Sequence, residues 1–324
     1  MTLFRILLCL LGALAATLPG PAAAQAFPSK PVRLVVPFAP GGTTDLLARI
    51  IAEKMGPALG QTVLVENKAG AGGAIGAAEV ARAAPDGYVL LMSSVSTMAA
   101  NPAINPTTPY DPNRDFVHII NVAATPNVIA VHPSFPARDY KTFLSVLSSN
   151  PGKYSFATAG GGSVGHLLAE LYKNSSKVYF IHIPYRGSGP ALNDAVAGQV
   201  PIIIDNLPSA LPFIKDKRLI PIVVAAPARV AALPDVPTFA EVGLAPVNRM
   251  SFLGISAPKG TPKAVVDKLH AAVKTALTDP TVKERIEATG AIVVGNSPDE
   301  YQKQVSDELA IYKRVVLEQK LKLE

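Results

Sequence analysis

The 324-residue sequence contains no tryptophan and a single cysteine, Cys9. Cys9 lies within residues 1–26, which we predict to be removed from the mature chain. The mature chain, from Phe27 onward, therefore lacks thiol and disulfide chemistry, and its stability must come from a hydrophobic core. Clustered basic residues and closely spaced histidines are missing as well. Their absence argues against a nucleic-acid partner and a metal site, and we predict neither a metal nor a cofactor.

Residues 1–26 have the three parts of a secretory signal peptide. Arg5 forms the basic start, an apolar run covers residues 6–18, and the small residues of "AAAQA" follow. The apolar run is too short to span a bilayer. We predict cleavage after Ala26, with Ala24 as the alternative, and export to the periplasm.

The mature chain is modestly basic. The whole sequence has 30 Lys and Arg residues against 24 Asp and Glu residues, and removal of Arg5 leaves 29 basic residues. These charges are scattered rather than grouped on one segment. Their net sign fits a small anionic ligand.

Short apolar runs alternate with helical patterns along the mature chain. Helical patterns cover residues 45–59, 74–83, 261–277 and 298–323. The runs that predict strands are "VRLVVPF", "TVLVEN", "YVLLMS", "NVIAVH", "YSFATA", "YFIHIP", "VPIIID" and "LIPIVVAA". Such alternation is typical of α/β folds, and continuous apolar strands are typical of mostly parallel sheets that are buried on both faces.

Two segments repeat one arrangement: a strand, a glycine turn, a hydroxyl residue and the start of a helix. They are "LVVPFAPGGTTD" (residues 34–45) and "YSFATAGGGSVGH" (residues 154–166). We call residues 38–44 the first glycine turn and residues 159–163 the second glycine turn. Glycine lets a ligand approach the backbone, and the free N–H groups of a helix start favour an anion. The pair predicts an anion site, and the alternative is that both are tight strand-to-helix connections.

Two further motifs indicate other functions. "GAGGAIG" (residues 70–76) follows a predicted strand as a dinucleotide site does, but its G-x-G-x-x-x-G spacing argues against NAD. "GGSVG" matches the nucleophile elbow of α/β-hydrolases, and Asp205 and His270 follow Ser163 in the chain order of their triad. His270 falls within a predicted helix, where a hydrolase needs a loop. A serine esterase that uses Ser163 therefore stays as the alternative function.

Eight segments of the mature chain form a recognisable series: "FPSKPVRLVVPFAPGGTTD", "VENKAGAGGAIG", "APDGYVLL", "YDPNRDF", "IPYRGSGPAL", "DNLPSALP", "LPDVPTFAEVG" and "APKGTP". In this order, and over essentially the whole mature chain, they resemble the Bug receptors, the periplasmic substrate-binding proteins of tripartite tricarboxylate transporters. The resemblance implies an α/β periplasmic-binding-protein (Venus-flytrap) fold, with two α/β domains joined by crossing strands. We expect residues 27–126 plus 250–324 to form domain 1 and residues 127–249 to form domain 2. Such families often carry a tryptophan where this chain reads "MSFLGIS", a departure that concerns a hinge or rim contact rather than the fold.

The resemblance also implies a function. It implies a non-catalytic, monomeric receptor that holds a small carboxylate through backbone groups, hydroxyls and ordered water. The partners it implies are the membrane permease subunits of a tripartite transporter, and a sensor role toward a signalling protein stays open. The identity of the carboxylate also stays open among aspartate, glutamate, nicotinate, citrate, other dicarboxylates and aromatic acids.

The family's ligand contacts can be carried over to matching positions of this chain. In the two glycine turns they fall on Phe38, Ala39, Gly41, Gly42, Thr43 and Thr44, and on Ala159, Gly160, Gly161, Gly162 and Ser163, with His166 one helical turn later. Ser93 and Thr97 of "SSVST" would add hydroxyl groups. Asp205 would either accept a hydrogen bond from the distal side of the ligand or cap the turn that follows it. Arg186 would either pair with a carboxylate or lie on the surface, and Asp45 would cap its own helix.

Overall fold

The computed structural model describes residues 27–322. Within this range the strands are β1 (Val32–Val36), β2 (Val63–Asn67), β3 (Val89–Ser94), β4 (Phe116–Thr125), β5 (Asn127–Val131), β6 (Ser155–Thr158), β7 (Ile181–Pro184), β8 (Ile202–Asn206), β9 (Ile220–Ala225), β10 (Ser251–Pro258) and β11 (Ile292–Val293). The α-helices are α1 (Thr43–Leu59), α2 (Ala74–Ala81), α3 (Asn101–Ile104), α4 (Tyr140–Ser149), α5 (Val164–Ser176), α6 (Ser188–Val196), α7 (Leu207–Lys215), α8 (Lys263–Thr278), α9 (Pro280–Glu287) and α10 (Pro298–Glu318). The predicted signal peptide and the end of the last predicted helix lie outside the described residues.

The strands form two sheets, and the arrangement confirms the predicted α/β class. The first sheet has the strand order β11-β4-β10-β3-β1-β2, and the second has the order β7-β6-β8-β5-β9. The sheets are more mixed than the apolar runs predict, because β10 is antiparallel to β3 and β4, and β5 is antiparallel to β8 and β9. The pairs β1–β2, β1–β3, β6–β7 and β6–β8 are parallel, as the helical crossovers between them require.

The chain passes from the first sheet to the second at Pro126, between β4 and β5, and returns between β9 and β10. We call residues 27–126 and 250–322, which contain the first sheet, lobe 1, and residues 127–249, which contain the second sheet, lobe 2. The use of these limits as domain boundaries stays a prediction. The Asn127 side chain donates to the Arg249 carbonyl (2.9 Å), which ties the two crossing segments together.

Helix α1 shows how the sequence fixes one layer of lobe 1. Leu47, Ile51 and Met55 recur at a spacing of four residues, and all three are fully buried in a cluster that includes Leu269 and Val273 of α8. Burial of each side chain of this size contributes roughly 1.5–3 kcal/mol. This packing fixes the start of α1, and therefore the first glycine turn, against the end of β1.

No helix within residues 27–322 is long and apolar enough to cross a membrane.

Candidate functional site

The two glycine turns face each other across a cavity between the lobes. The first turn follows β1 and the second follows β6. The cavity has a volume of about 20 Å³, which is room for about one water molecule. The predicted site residues that line it are Phe38, Gly42, Thr43, Thr44, Ala159, Ser163 and Asp205.

The first glycine turn leaves backbone donors unpaired. Gly42 is the N-cap of α1 and provides no side-chain cap, and the first intrahelical bond runs from Leu46 N–H to the Gly42 carbonyl. Among the described residues, none accepts a hydrogen bond from the N–H groups of Thr43 and Thr44, although these residues are only 2 % and 6 % exposed. Buried N–H groups almost always have a partner, and the positive end of the helix dipole lies at this point. The arrangement is therefore suited to an anionic group.

Asp45 supports this turn from within α1. Its carboxylate accepts hydrogen bonds from the Gly41 N–H (3.1 Å), the Arg49 guanidinium (2.9 Å) and the Asn67 amide (2.9 Å). Burial alone would raise the pKa of this carboxyl, but the hydrogen bonds from Arg49, Asn67 and Gly41 hold the pKa below its ordinary value. The ionised Asp45 is therefore already paired, and it holds the backbone just before α1 through Gly41 rather than capping an N–H group of the helix itself. Asp45 is not among the residues that line the cavity.

The second glycine turn has the same sequence pattern, but the N–H groups of Gly160, Gly162 and Ser163 donate within the protein. Ser163 is the N-cap of α5, and its hydroxyl accepts from the His166 N–H (3.3 Å). The Gly162 N–H donates to His166 Nδ1 (3.1 Å), and the Gly160 N–H donates to the Thr158 hydroxyl (3.1 Å). The turn is therefore held by side chains that lie behind it.

Further donors of α5 are divided between the protein and the cavity. The Val164 N–H donates across the cleft to the Ser96 hydroxyl (3.0 Å). Gly165 belongs to the cavity lining, and its N–H has no acceptor among the described residues. Among the cavity-lining residues at the two helix starts, Gly165 thus keeps an unpaired N–H group in α5, and Thr43 and Thr44 keep theirs in α1.

His166 lies behind the second turn and not in the cavity lining. It is 1 % exposed, and its ring stacks on His182 at a centroid distance of 4.2 Å. Because Nδ1 accepts from Gly162, the ring is neutral and carries its proton on Nε2. Burial, with a smaller contribution from the Lys173 charge, lowers the pKa of His166 to about 4.

Asp205 lies at the end of β8 and lines the cavity, 5 % exposed. Its carboxylate accepts from the Ser188 hydroxyl (2.5 Å) and the Ser209 hydroxyl (2.7 Å). Burial raises the pKa of Asp205 to about 6, and these hydrogen bonds oppose the rise. At the end of β8, where the sequence suggests the mouth of the cleft, Asp205 lies instead in the buried wall of the cavity.

Ser209 extends this network across the cleft. Its hydroxyl lies 2.8 Å from the Thr43 hydroxyl, and its N–H donates to Thr43 Oγ1 (3.1 Å). When Asp205 is ionised, the Ser209 proton points to its carboxylate, so Thr43 donates to Ser209. Thr43 of lobe 1 is thereby joined to Asp205 of lobe 2.

The remaining predicted residues lie around the cavity rather than in its lining. In the first turn, the Ala39 N–H donates to the Arg186 carbonyl (3.0 Å) and the Gly41 N–H to Asp45. Gly160, Gly161 and Gly162 of the second turn are not in the cavity lining. The Arg186 side chain is exposed.

At the end of β3 and just after it, the hydroxyl residues that line the cavity each lie one position from a predicted one. The Ser93 hydroxyl is buried among the Gly254 carbonyl, Ser256 and Tyr301, and the Thr97 hydroxyl bonds the backbone of Ser94. Ser94 and Ser96 line the cavity instead. Successive strand side chains point to opposite faces, so Ser93 and Ser94 of β3 lie on opposite sides of the sheet.

The residues of the esterase alternative are not linked to one another. Ser163 bonds His166 N–H, Asp205 bonds Ser188 and Ser209, and His270 Nε2 lies 3.0 Å from the Asn296 carbonyl. A hydrolase triad needs hydrogen bonds from serine to histidine and from histidine to the acid. Within residues 27–322 there is also no group of three or more His, Cys, Asp or Glu side chains arranged to hold a metal.

Comparison with known proteins identifies the family to which the chain belongs. The sequence model of the family described as "Tripartite tricarboxylate transporter family receptor" matches residues 47–321. A protein encoded in the tcbD-tcbE intergenic region of Pseudomonas sp. (strain P51) is 39 % identical over 298 residues, which cover 92 % of this chain and 88 % of the relative. Protein BugT of Bordetella pertussis is 35 % identical, with 98 % of each chain covered.

Several solved structures share both the fold and sequence similarity with this chain. A structure titled as a periplasmic transporter has a TM-score of 0.91 and 49 % identity, covering 92 % of this chain and 100 % of its own. MatC from Rhodopseudomonas palustris, with bound malate, has a TM-score of 0.87 and 36 % identity, with coverage of 90 % and 100 %. R. palustris Rpa4515, with adipate, has a TM-score of 0.86 and 34 % identity, with coverage of 90 % and 98 %.

Proposed function

Since the chain belongs to the tripartite tricarboxylate transporter receptor family, we propose that it captures a small carboxylate between the two glycine turns and delivers it to the permease of such a transporter. The observation that carries the ligand class is the pair of buried, unpaired N–H groups of Thr43 and Thr44 beside the cavity. Hydrogen bonds from N–H groups to an anion are roughly twice as strong as neutral ones, and the helix start adds its dipole. The malate and adipate bound by MatC and Rpa4515 support the same class.

Capture requires the lobes to separate. The cavity of about 20 Å³ is far smaller than the several hundred Å³ that enclose most small-molecule ligands. The ligand therefore enters an opened cleft, and the lobes close on it afterwards. The predicted division into residues 27–126 plus 250–324 and residues 127–249 supplies the two bodies that move. Asp205 and the Ser188 hydroxyl lie in lobe 2, across the cavity from Thr43 and Thr44. They favour a ligand whose far end presents a hydrogen-bond donor, such as an ammonium or hydroxyl group.

A thermal-shift screen tests the ligand class. The panel contains malate, adipate, aspartate, glutamate, nicotinate and citrate, with malamide and adipamide as neutral controls of the same shape. A ligand at 100 times its dissociation constant adds about 2.7 kcal/mol of stability, so a specific acid gives a clear shift. We expect at least one acid to stabilise the protein and its amide to leave it unchanged. Equal stabilisation by an acid and its amide would contradict recognition of the carboxylate charge.

As a receptor of this kind, the protein would have no catalytic activity. Ser163 is 1 % exposed and serves as a helix cap, which leaves its hydroxyl without a base. We expect no hydrolysis of p-nitrophenyl acetate above the level of a Ser163→Ala variant. Hydrolysis that disappears in this variant would favour the esterase.

The location and partners follow from the same proposal. Residues 1–26 direct the chain to the periplasm, where a monomeric receptor meets the permease subunits. Uptake of the acid found in the screen by cells that contain the permease should require this chain. A signalling protein that recognises the closed form is the second possible partner, and it would bind this chain in cells that lack the permease.

A further inference from the structure

The "GAGGAIG" segment, which fits no dinucleotide site, contacts the second glycine turn across the cleft. Gly72 adopts φ 61°. A Cβ atom at Gly72 would lie 2.3 Å from the carbonyl oxygen of Gly161 and 3.1 Å from Ser163 N. A Cβ atom at Gly160 would in turn lie 3.2 Å from Gly72 N. On this side the two lobes therefore meet backbone to backbone, with no space for a side chain.

A second contact of the same kind lies beside the first glycine turn. A Cβ atom at Gly189, within the first turn of α6, would lie 2.0 Å from the carbonyl oxygen of Pro40. A Cβ atom at Gly187 would lie 2.7 Å from Ala39 N, whose N–H donates to the Arg186 carbonyl (3.0 Å). The lobes again meet through backbone atoms.

The cavity is bordered by these two contacts, and neither Gly72 nor Gly189 belongs to its lining. Their glycine identity therefore matters to the approach of the lobes and not to contact with a ligand. The three atoms nearest to a Cβ atom at Gly189 all belong to Pro40 and Gly41 of the other lobe. A side chain that fits the open state but clashes in the closed state shifts the equilibrium between the two states toward the open one.

We propose that Gly72 and Gly189 are positioning residues that set how far the lobes close: a methyl group at either position holds the cleft open. The use of this closure to retain a carboxylate rests on the proposed function, but the steric limit itself does not. Opening by even a small distance separates Thr43 from Ser209 and Ser96 from Val164, because hydrogen bonds weaken steeply beyond their normal length.

The test is a disulfide that forms only in the closed arrangement. The hydroxyl oxygens of Thr43 and Ser209 are 2.8 Å apart and belong to different lobes. In a Thr43→Cys, Ser209→Cys double variant, the two sulfur atoms can therefore meet on closure. The chain from Phe27 onward contains no other cysteine, so no competing thiol interferes. Oxidised glutathione starts the reaction, and a non-reducing gel follows it without any added ligand.

Two test substitutions, Gly72→Ala and Gly189→Ala, are compared in the double-cysteine background. Each is chosen so that the lobe that carries it should still fold. Gly72→Ala is matched to Gly60→Ala, because Gly60 has a similar φ of 72° but no atom within 4 Å of an added Cβ. The pair shares the backbone strain and differs in the cross-lobe contact, and also in a contact of 3.0 Å with the side-chain amide of Asn101 in the same lobe. The atoms nearest to an added Cβ at Gly189 all belong to the other lobe, so Gly189→Ala tests the cross-lobe contact without this difference. Gly189→Ala carries no positive-φ strain, and alanine favours a helix over glycine. Circular dichroism checks that each variant is folded.

We expect Gly72→Ala and Gly189→Ala each to slow disulfide formation by roughly tenfold or more, as overpacking of a close contact predicts, and Gly60→Ala to leave the rate unchanged. Formation at the Gly60→Ala rate in both variants would overturn the proposal. Absence of the disulfide in the parent double variant would overturn it too, because the lobes would then not reach this arrangement. If Gly72→Ala is unfolded, Gly189→Ala decides. The disulfide assay uses no ligand, so a thermal-shift screen in which no carboxylate binds would not change its outcome. The proposal about lobe closure and the proposal about carboxylate binding can therefore be refuted independently.

Discussion

The two glycine turns share one sequence pattern but differ in how their helix starts are capped. The first turn ends at Gly42, which has no side chain to cap α1, and the N–H groups of Thr43 and Thr44 stay unpaired beside the cavity. The second turn ends at Ser163, whose hydroxyl caps α5, and His166 accepts from the Gly162 N–H. A strand followed by glycines and a helix therefore predicts a place where an anion can approach. Whether the donors are free depends on the neighbouring side chains.

From this difference we infer two roles. We propose that the first turn supplies most of the hydrogen-bond donors for a ligand, and that the second turn, held by its own side chains, closes onto the ligand. Changes in the first turn should weaken binding and leave the fold intact, whereas changes behind the second turn should weaken the fold. The following predictions test that separation, from the largest expected effect to the smallest.

Acid should weaken the fold around the second turn. The unfolded pKa of a histidine is 6.5, and burial lowers the folded pKa of His166 to about 4 and that of His182 to about 3. Between these values the unfolded chain binds protons that the folded chain does not, so stability falls as the pH drops from 6.5 toward 4. At pH 4.5 the loss is about 2–3 kcal/mol for His166 alone. Asp205 works in the opposite direction by about 2 kcal/mol, because its folded pKa is raised to about 6.

Urea denaturation at pH 7 and pH 4.5 measures this effect. His118, buried in lobe 1 with a pKa lowered to about 4 by burial, adds a loss of the same sign. A His166→Gln variant isolates the second turn, because glutamine does not titrate, and it should lose less stability between the two pH values than the parent. The same loss in both proteins would show that His166 is not held neutral behind the turn.

Removal of one N–H group from the first turn should weaken carboxylate binding by about 1.5–3 kcal/mol, the value of a hydrogen bond to a charged group. Thr43 is the first residue of α1, where proline is tolerated, so Thr43→Pro removes the N–H and keeps the helix. Thr43→Val is the control that removes only the hydroxyl group. Isothermal titration with the acid that gives the largest thermal shift compares them. Equal affinities for the two variants would mean that the amide does not bind the ligand.

The same change in the second turn should have a smaller effect. Val164 is the first residue of α5, and its N–H donates to the Ser96 hydroxyl rather than to the cavity. Val164→Pro removes one neutral hydrogen bond between the lobes and should weaken binding by about 0.5–1.5 kcal/mol. The titration used for Thr43→Pro measures it. A larger loss for Val164→Pro than for Thr43→Pro would reverse the assignment of the two turns.

The sequence predicts much of the fold because most strands are continuous apolar runs that end at glycine or proline. It does not single out β4 and β10, the strands that flank the crossings between the lobes, although the family resemblance implies crossing strands. Their neighbours in the sheet are distant along the chain, and β10 pairs with both β3 and β4. Long-range pairing of this kind leaves no local signal.

Part of the site could also have been predicted from the sequence. Ser188 follows Gly187 and begins α6 after β7, so it repeats the strand, glycine and hydroxyl pattern a third time. The pattern could have identified it. The contact of Ser209 with Thr43 depends on the packing of α7 against α1, and no spacing predicts it. The exchange of Ser93 for Ser94 reflects the face of β3, which is decided by the partners of that strand.

The smallest expected effect concerns the cap of the second turn. The Ser163 hydroxyl accepts from the His166 N–H at 3.3 Å, a long hydrogen bond, so Ser163→Ala should lower the free energy of unfolding by about 1 kcal/mol or less. Ser163→Gly should lower it by only a few tenths, because glycine is itself tolerated as an N-cap. Urea denaturation orders the three proteins. Carboxylate affinity should stay near that of the parent in both variants, since the amides of the first turn are untouched. A loss of affinity without a loss of stability would instead place the Ser163 hydroxyl on the ligand, and the second turn would then be a binding element like the first.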